Sequence, residues 1–184
     1  MSKLNETEFE ARWAEASGLV YSVAYGLLGH RHSAEDAMQE AATIAWRKRG
    51  TFEPGSNFGA WVAQITRHVA LNSRRSRRRR YAESFSEATD VHAAAEATPD
   101  APSPEAAMSG EQLAFDDAVV AALGRLEPTA RACLLLKTVH GHSYAEIGGM
   151  LGVPEGTAMS HVHRARKRMR ETLTERKANE GAMT

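Results

Sequence analysis

Apolar positions recur along most of this chain with the period of a helix, and nowhere with the sustained period of two that marks a strand. From about Glu6 to Leu28, Trp13, Leu19, Val20, Val23 and Leu27 fall mostly on one side, which predicts a first helix ended by Gly29-His30-Arg31-His32. Ser33, with Asp36 three residues on, is placed to cap a second helix that continues to about Arg49. Residues 50–57 read as a loop, because Glu53-Pro54-Gly55 is turn chemistry. A third helix begins near Phe58, carries Trp61, Val62, Ile65, Val69 and Leu71, and runs into a block of arginines. Further on, Leu113, Val119, Val120, Leu123 and Leu126 mark one helix, and Pro128 opens another that reaches Val139 before Gly141.

Residues 143–170 hold the densest local information. Ser143 with Glu146 three residues later has the spacing of a capping box, in which each side chain satisfies a backbone donor at a helix start. The short apolar run stops at Leu151-Gly152. Pro154 then sits where a first helical turn tolerates a missing N–H. The helix that follows turns basic through Arg164, Arg166, Lys167, Arg168 and Arg170. A short helix, a tight glycine turn and a long basic helix predict a helix-turn-helix, with its second helix in a major groove.

Charge changes this picture more than composition does. The 184 residues are 42% hydrophobic, enough for one or two modest cores, and 23 basic residues balance 23 acidic ones. The balance hides segregation. Residues 74–80 carry six arginines, and residues 81–117 carry nine acids and no Lys or Arg. Residues 164–177 carry seven bases against Glu171 and Glu175. Two basic patches separated by acid predict two polyanion contacts and a segment kept off the nucleic acid. Residues 81–109, rich in Ala, Glu, Ser and Pro, bury too little apolar surface to offset their ordering entropy and read as a flexible acidic linker. Cys133 is the only cysteine, which excludes an internal disulfide and fits a reducing cytosol. No run approaches the roughly 18 apolar residues of a membrane span, and the N-terminus lacks a signal-peptide core. The expectation is a cytoplasmic protein without membrane insertion. Its fold class is all-α, two small helical domains on a flexible acidic linker, the second a four-helix domain with the helix-turn-helix. The expected boundaries are 1–80, 81–109 and 110–177, with a tail at 178–184.

Three constellations bear on function. In the basic helix, Glu155, Thr157, Met159, Ser160, His161 and Arg164 lie toward the groove-facing end, and Arg166, Lys167, Arg168 and Arg170 neutralise phosphates. In residues 58–80, aromatics at the start can stack on unpaired bases while arginines follow the backbone, although Trp61 reads mainly as core. In residues 33–50, Glu35, Asp36, Gln39 and Glu40 gather within about a turn and a half. No His or Cys stands at ligand spacing beside them, so they read as a face for a protein partner rather than a metal or acid/base site. The histidine pairs 30/32, 140/142 and 161/163 are two residues apart, a poor chelate spacing on a helix. Cys133 reads as a small core hydrophobe. No cofactor or metal is expected, nor any nucleophile–base set of an enzyme.

Two motifs then agree. AEDAMQEAATIAWRK, a Phe-Glu-Pro-Gly loop and WVAQITRHVALNSRR resemble region 2 of bacterial sigma factors of the extracytoplasmic-function type. LEPTARACLLLKTVHGHSYAEIGGMLGVPEGTAMSHVHRARKRMR resembles their region 4. The resemblance covers about residues 10–80 and 110–175. It implies a non-enzymatic factor that binds core RNA polymerase, recognises promoter DNA at −10 and −35 elements and promotes melting. It implies polymerase contacts at Asp36, Gln39 and Glu40. At the −10 element it implies Phe52, Asn57, Phe58, Trp61, His68, Asn72, Arg74 and Arg75, with one base captured after flipping. At the −35 element it implies Thr157, Met159, Ser160, His161, His163, Arg164, Arg166 and Lys167. It also implies an anti-sigma partner, and a linker threading toward polymerase channels that normally hold nucleic acid. His68 departs from the family's usual Asn, and Met159 and His161 stand where many relatives carry arginine, so an unusual or less stringent −35 choice is expected. The competing reading is a stand-alone helix-turn-helix regulator of duplex DNA, which leaves residues 33–72 without a role.

Overall fold

The computed structural model describes residues 4–87 and 115–181, and every regular element among them is helical. In chain order these are α1 (Glu6–Leu28), α2 (Arg31–Lys48), a single 3-10 turn (Arg49–Thr51), α3 (Phe58–Glu87), α4 (Asp117–Gly124), α5 (Pro128–Thr138), α6 (Tyr144–Leu151) and α7 (Glu155–Gly181). No helix among the described residues is long and apolar enough to cross a membrane.

Local chemistry explains most boundaries. Asn5 and Glu8 form a capping box at the start of α1, with Glu8 N–H donating to Asn5 Oδ1 at 2.9 Å. Gly29 ends the helix at φ 83°, a left-handed conformation that costs glycine nothing. The chain re-enters a helix at once, so α2 begins at Arg31 rather than at a Ser33 cap. His30 is the capping residue through its extended backbone, and Ser33 lies inside α2, where its hydroxyl accepts from Arg77 at 2.8 Å. Pro154 likewise precedes the helix it was expected to open. Its carbonyl accepts from the N–H groups of Thr157 and Ala158, and α7 starts at Glu155.

Helix α3 continues seven residues into the expected linker, to Glu87, and α7 extends to Gly181, into the expected tail. The rest of that linker, Leu113, and residues 182–184 lie outside the described residues. Helix α4 starts at Asp117, with the Asp116 carboxylate accepting from Ala118 N–H.

Helices α1–α3 pack together, and so do α4–α7, but the two groups also meet. The contacts run along α1 against α5 and α3 against α6, and one buried cluster continues from Leu27, Ala41 and Val69 to Leu135, Ile147 and Val162. The burial of α1 shows why. Residues 19–29 are buried without a break, so this half of the helix has neighbours on every side rather than on the one side its pattern predicts. A second cluster gathers the aromatic residues of the first group around Phe9, Phe52 and Phe58.

Candidate nucleic-acid interface

The helix-turn-helix is built by α6, the turn at Gly152 and α7. Ser143 Oγ accepts from Glu146 N–H at 3.2 Å, and Glu146 Oε2 accepts from Ser143 N–H at 2.8 Å and from its hydroxyl at 2.7 Å. These Ser143 hydrogen bonds hold the Glu146 carboxyl below its usual range. Gly152 takes φ 61°, and a Cβ on Gly148 would meet Val153 O at 2.6 Å, so both glycines are needed for the chain to double back.

Ala158, Val162 and Ala165 fix α7 to the core, and that orientation selects what faces outward. Ser160, His163, Arg164, Arg166 and Lys167 are exposed, and Met159 is unusual for a large apolar side chain at 52% exposure. Met159, Ser160, His163 and Arg164 line one shallow open depression with Pro154, Gly156 and the half-buried Thr157. His161 is turned away from it. Its ring is half-buried, with Nδ1 3.8 Å from Glu127 Oε2. Glu127 caps α5 by accepting from the N–H groups of Thr129 and Ala130. Burial alone would raise its pKa, but those amide bonds and nearby His161 outweigh it and hold the carboxyl low. The cue for Glu127 was present in the sequence, an acidic residue directly before a proline at a helix start.

In the first group of helices the predicted residues divide. Asp36, Gln39 and Glu40 are exposed on one face of α2. His68, Asn72 and Arg75 are exposed on α3, and Arg74 is half-buried. His68 Nδ1 donates to Gln64 O at 2.8 Å. Asn57 is a cap, its Oδ1 accepting from Ala60 N–H at 2.9 Å.

Phe52 and Phe58 are buried at 6% and 7% exposure, their rings 5.5 Å apart. Phe58 is also 5.7 Å from Phe9, and half-buried Trp61 is 5.3 Å from Phe52. Neither phenylalanine offers a face to a base in this conformation. The reason is physical: rings in the loop and at the first position of α3, facing the other helices, lose more water by joining the core than by waiting for a ligand. Cys133 is fully buried, and burial pushes its thiol up to about 12. Among the described residues no three His, Cys, Asp or Glu side chains are grouped to hold a metal.

Comparison with known proteins follows the same division. The family model for sigma-70 region 2 matches residues 13–80, and that for sigma-70 region 4 matches residues 116–169. The RNA polymerase sigma factor CarQ of Myxococcus xanthus is 30% identical over 142 residues, covering 77% of this chain and 75% of CarQ. The chain belongs to the sigma-70 family, in its extracytoplasmic-function branch.

Another relative in this branch, SigE of Mycolicibacterium smegmatis, is 37% identical over 154 residues. That match covers 84% of this chain, which spans 57% of the SigE length. Among solved structures, the sigma factor RpoE in complex with the anti-sigma factor NepR, from Bartonella quintana, aligns with a TM-score of 0.71 at 26% identity. The alignment covers 91% of this chain and 98% of RpoE. On the sigma-70 frame, region 2 holds α1 from Trp13 onward, α2 and α3 as far as Arg80. Region 4 starts at the Asp116 cap and ends within α7.

Proposed function

We propose that this chain is a promoter-specificity factor in the cytoplasm. It binds core RNA polymerase, directs it to promoters with −10 and −35 elements and promotes their melting. The observation that carries this reading is the presence of both sigma-70 regions in one chain, each with an outward polar face. In this reading Asp36, Gln39 and Glu40 meet polymerase. His68, Asn72, Arg74, Arg75 and the open edge of Trp61 meet the −10 element, with Phe52, Asn57 and Phe58 shaping the loop beside it. Thr157, Met159, Ser160, His163 and Arg164 read the −35 element, His161 sets their orientation, and Arg166 and Lys167 sit on phosphates.

The chain performs no reaction itself. Polymerase supplies the catalysis, and this factor contributes position and strand separation. An anti-sigma factor is the regulatory partner this reading carries, as RpoE has in its complex with NepR. The competing stand-alone regulator is disfavoured by α1–α3, for which it has no use.

Run-off transcription on genomic fragments, with core polymerase and with or without this chain, is the test. The expected result is transcripts from a discrete set of start sites only when the chain is present, and little binding to duplex by the chain alone. Tight specific duplex binding without polymerase, and no chain-dependent start sites, would return the function to a stand-alone regulator.

A further inference from the structure

Methionine is among the residues most often found inside proteins. Met159 instead stands 52% exposed in the first turns of α7. It cannot turn inward, because buried Ala158 and Val162 fix the rotation of the helix. Residue 159 lies about 100° around the axis from Ala158. Its surroundings are polar: Ser160 and His163 are exposed beside it, and with Arg164 they line the same depression. Among the described residues, the other large apolar side chains of comparable exposure are Tyr81 on α3 and Val139 at the end of α5, and neither lines it. A protein partner is met by a contiguous apolar patch. One methionine among hydroxyl, imidazole and guanidinium groups does not make one.

The neighbouring groups are already committed. The Ser160 hydroxyl donates to Gly156 O at 2.8 Å, so it has only lone pairs to offer outward. His161 faces Glu127 on another helix. Arg164 is the one guanidinium lining the depression among the described residues, and its paired donors suit guanine. Met159 has no donor, and its thioether sulfur is only a weak acceptor. What it brings is an apolar surface on three rotatable bonds. The major-groove edge of a base pair carries one apolar group, the 5-methyl of thymine.

Gly156 is a second, independent observation. A Cβ there would meet nothing within 4 Å, so the fold has no steric need of glycine at that position. Glycine in a helix is less favourable than alanine. Met159 and Ser160 are three and four residues on, which places Gly156 beside them on the helix surface. Bare backbone at that point lets a base edge come close to both side chains.

Resting on the proposed function, we infer that Met159 is a specificity-determining residue: it selects a T·A pair in the −35 element by apolar contact with the thymine 5-methyl group. Selection at this position rests on one methyl group rather than on hydrogen bonds. It is therefore modest in size, and it is sensitive to a chemical change that leaves base pairing intact.

The test uses the full chain with core RNA polymerase and a promoter found by the run-off experiment. Fragments randomised across the −35 element are selected by the complexes they form and sequenced. The expected result is one position at which thymine is preferred. Deoxyuridine at that position pairs as thymine does but lacks the methyl. It should raise the half-saturating protein concentration about fourfold, the worth of one buried methyl. A cytosine placed there should bind better once methylated at C5. Met159→Ala should keep the other preferences of the element and bind thymine and deoxyuridine fragments alike.

No thymine preference, or no deoxyuridine penalty with the unmodified chain, would overturn the inference, and neither result requires the variant to fold. An equal penalty in Met159→Ala would also overturn it, because another group would then meet the methyl. So would an equal loss on every fragment, which would make Met159 a contact to protein or phosphate. In each of these cases complexes still form, so the proposed function stands while the inference falls. Absence of any chain-dependent complex removes that function, and the inference with it.

Discussion

The two surfaces proposed for DNA differ in readiness. On α7, Met159, Ser160, His163 and Arg164 already face solvent around one depression, and apolar neighbours on the opposite side of the helix hold them there. Around the loop before α3, two of the three aromatics that could stack on a base are locked in the core. The difference matches the two tasks. A duplex groove accepts a rigid preformed helix, whereas a melted base must find a pocket that has no use until the duplex opens. A buried aromatic floor keeps that second site firm without leaving an exposed apolar patch in the free protein.

The largest expected effect tests the aromatic side. Phe58→Ala should cost about 3–5 kcal/mol of stability, as for a well-packed core aromatic, because Phe9, Phe52 and Trp61 all pack on that ring. Urea unfolding measures this directly. A near-normal midpoint combined with lost promoter melting would instead make Phe58 a DNA contact that closes over the core in the free state.

Next comes the exposed side. Arg164→Ala should leave stability within about 0.5 kcal/mol and cost about 1–3 kcal/mol of discrimination at one −35 base pair. Lys167→Ala should weaken all sequences alike and lower the salt dependence of binding by about one unit of slope. If the two substitutions behave alike on promoters with intact and scrambled −35 elements, α7 supplies affinity only.

The smallest effect concerns the frame beneath α7. Ser143→Ala removes the reciprocal cap of α6 and should cost about 1 kcal/mol, seen as a small fall in thermal midpoint. A loss several times larger would mean that Ser143 does more than close the helix start.

How much of this was legible in the sequence depends on how local each cause is. The helix-turn-helix was legible because Ser143, Glu146 and Gly152 act on backbone within a few residues of themselves. The polar face of α2 was legible too, since residues 36, 39 and 40 share a face whenever that segment is helical. The start of α2 was not, because the extended backbone of His30, rather than a side-chain cap, begins that helix. The burial of Phe52 was not legible, because a loop aromatic has no periodicity to declare an inward side, whereas Phe58 stands four residues before buried Val62 on the inward side of α3. His161 was read as groove-facing because its neighbours are, and only the position of Glu127 on another helix turns it away. The meeting of α1 with α5 depends on residues more than a hundred positions apart. Its one sequence trace, the four-residue spacing of Gly18, Ser22 and Gly26, gains meaning only beside Ala132, whose Cα a Cβ on Gly26 would meet at 2.5 Å.

The aromatic cluster has a practical consequence for anyone handling the protein in solution. Trp13, Trp46 and Trp61 are the chain's three tryptophans, all in region 2, and Arg49 stacks on the indole of Trp46 at 3.9 Å. Tryptophan emission, excited beyond the absorption of Tyr144 on α6, is therefore a private signal of the first half, silent about the helix-turn-helix. Circular dichroism counts helices from both halves. Coincident melting curves from the two methods would show the halves failing as a single cooperative unit. Curves that part company would time the loss of each half separately, with no label added.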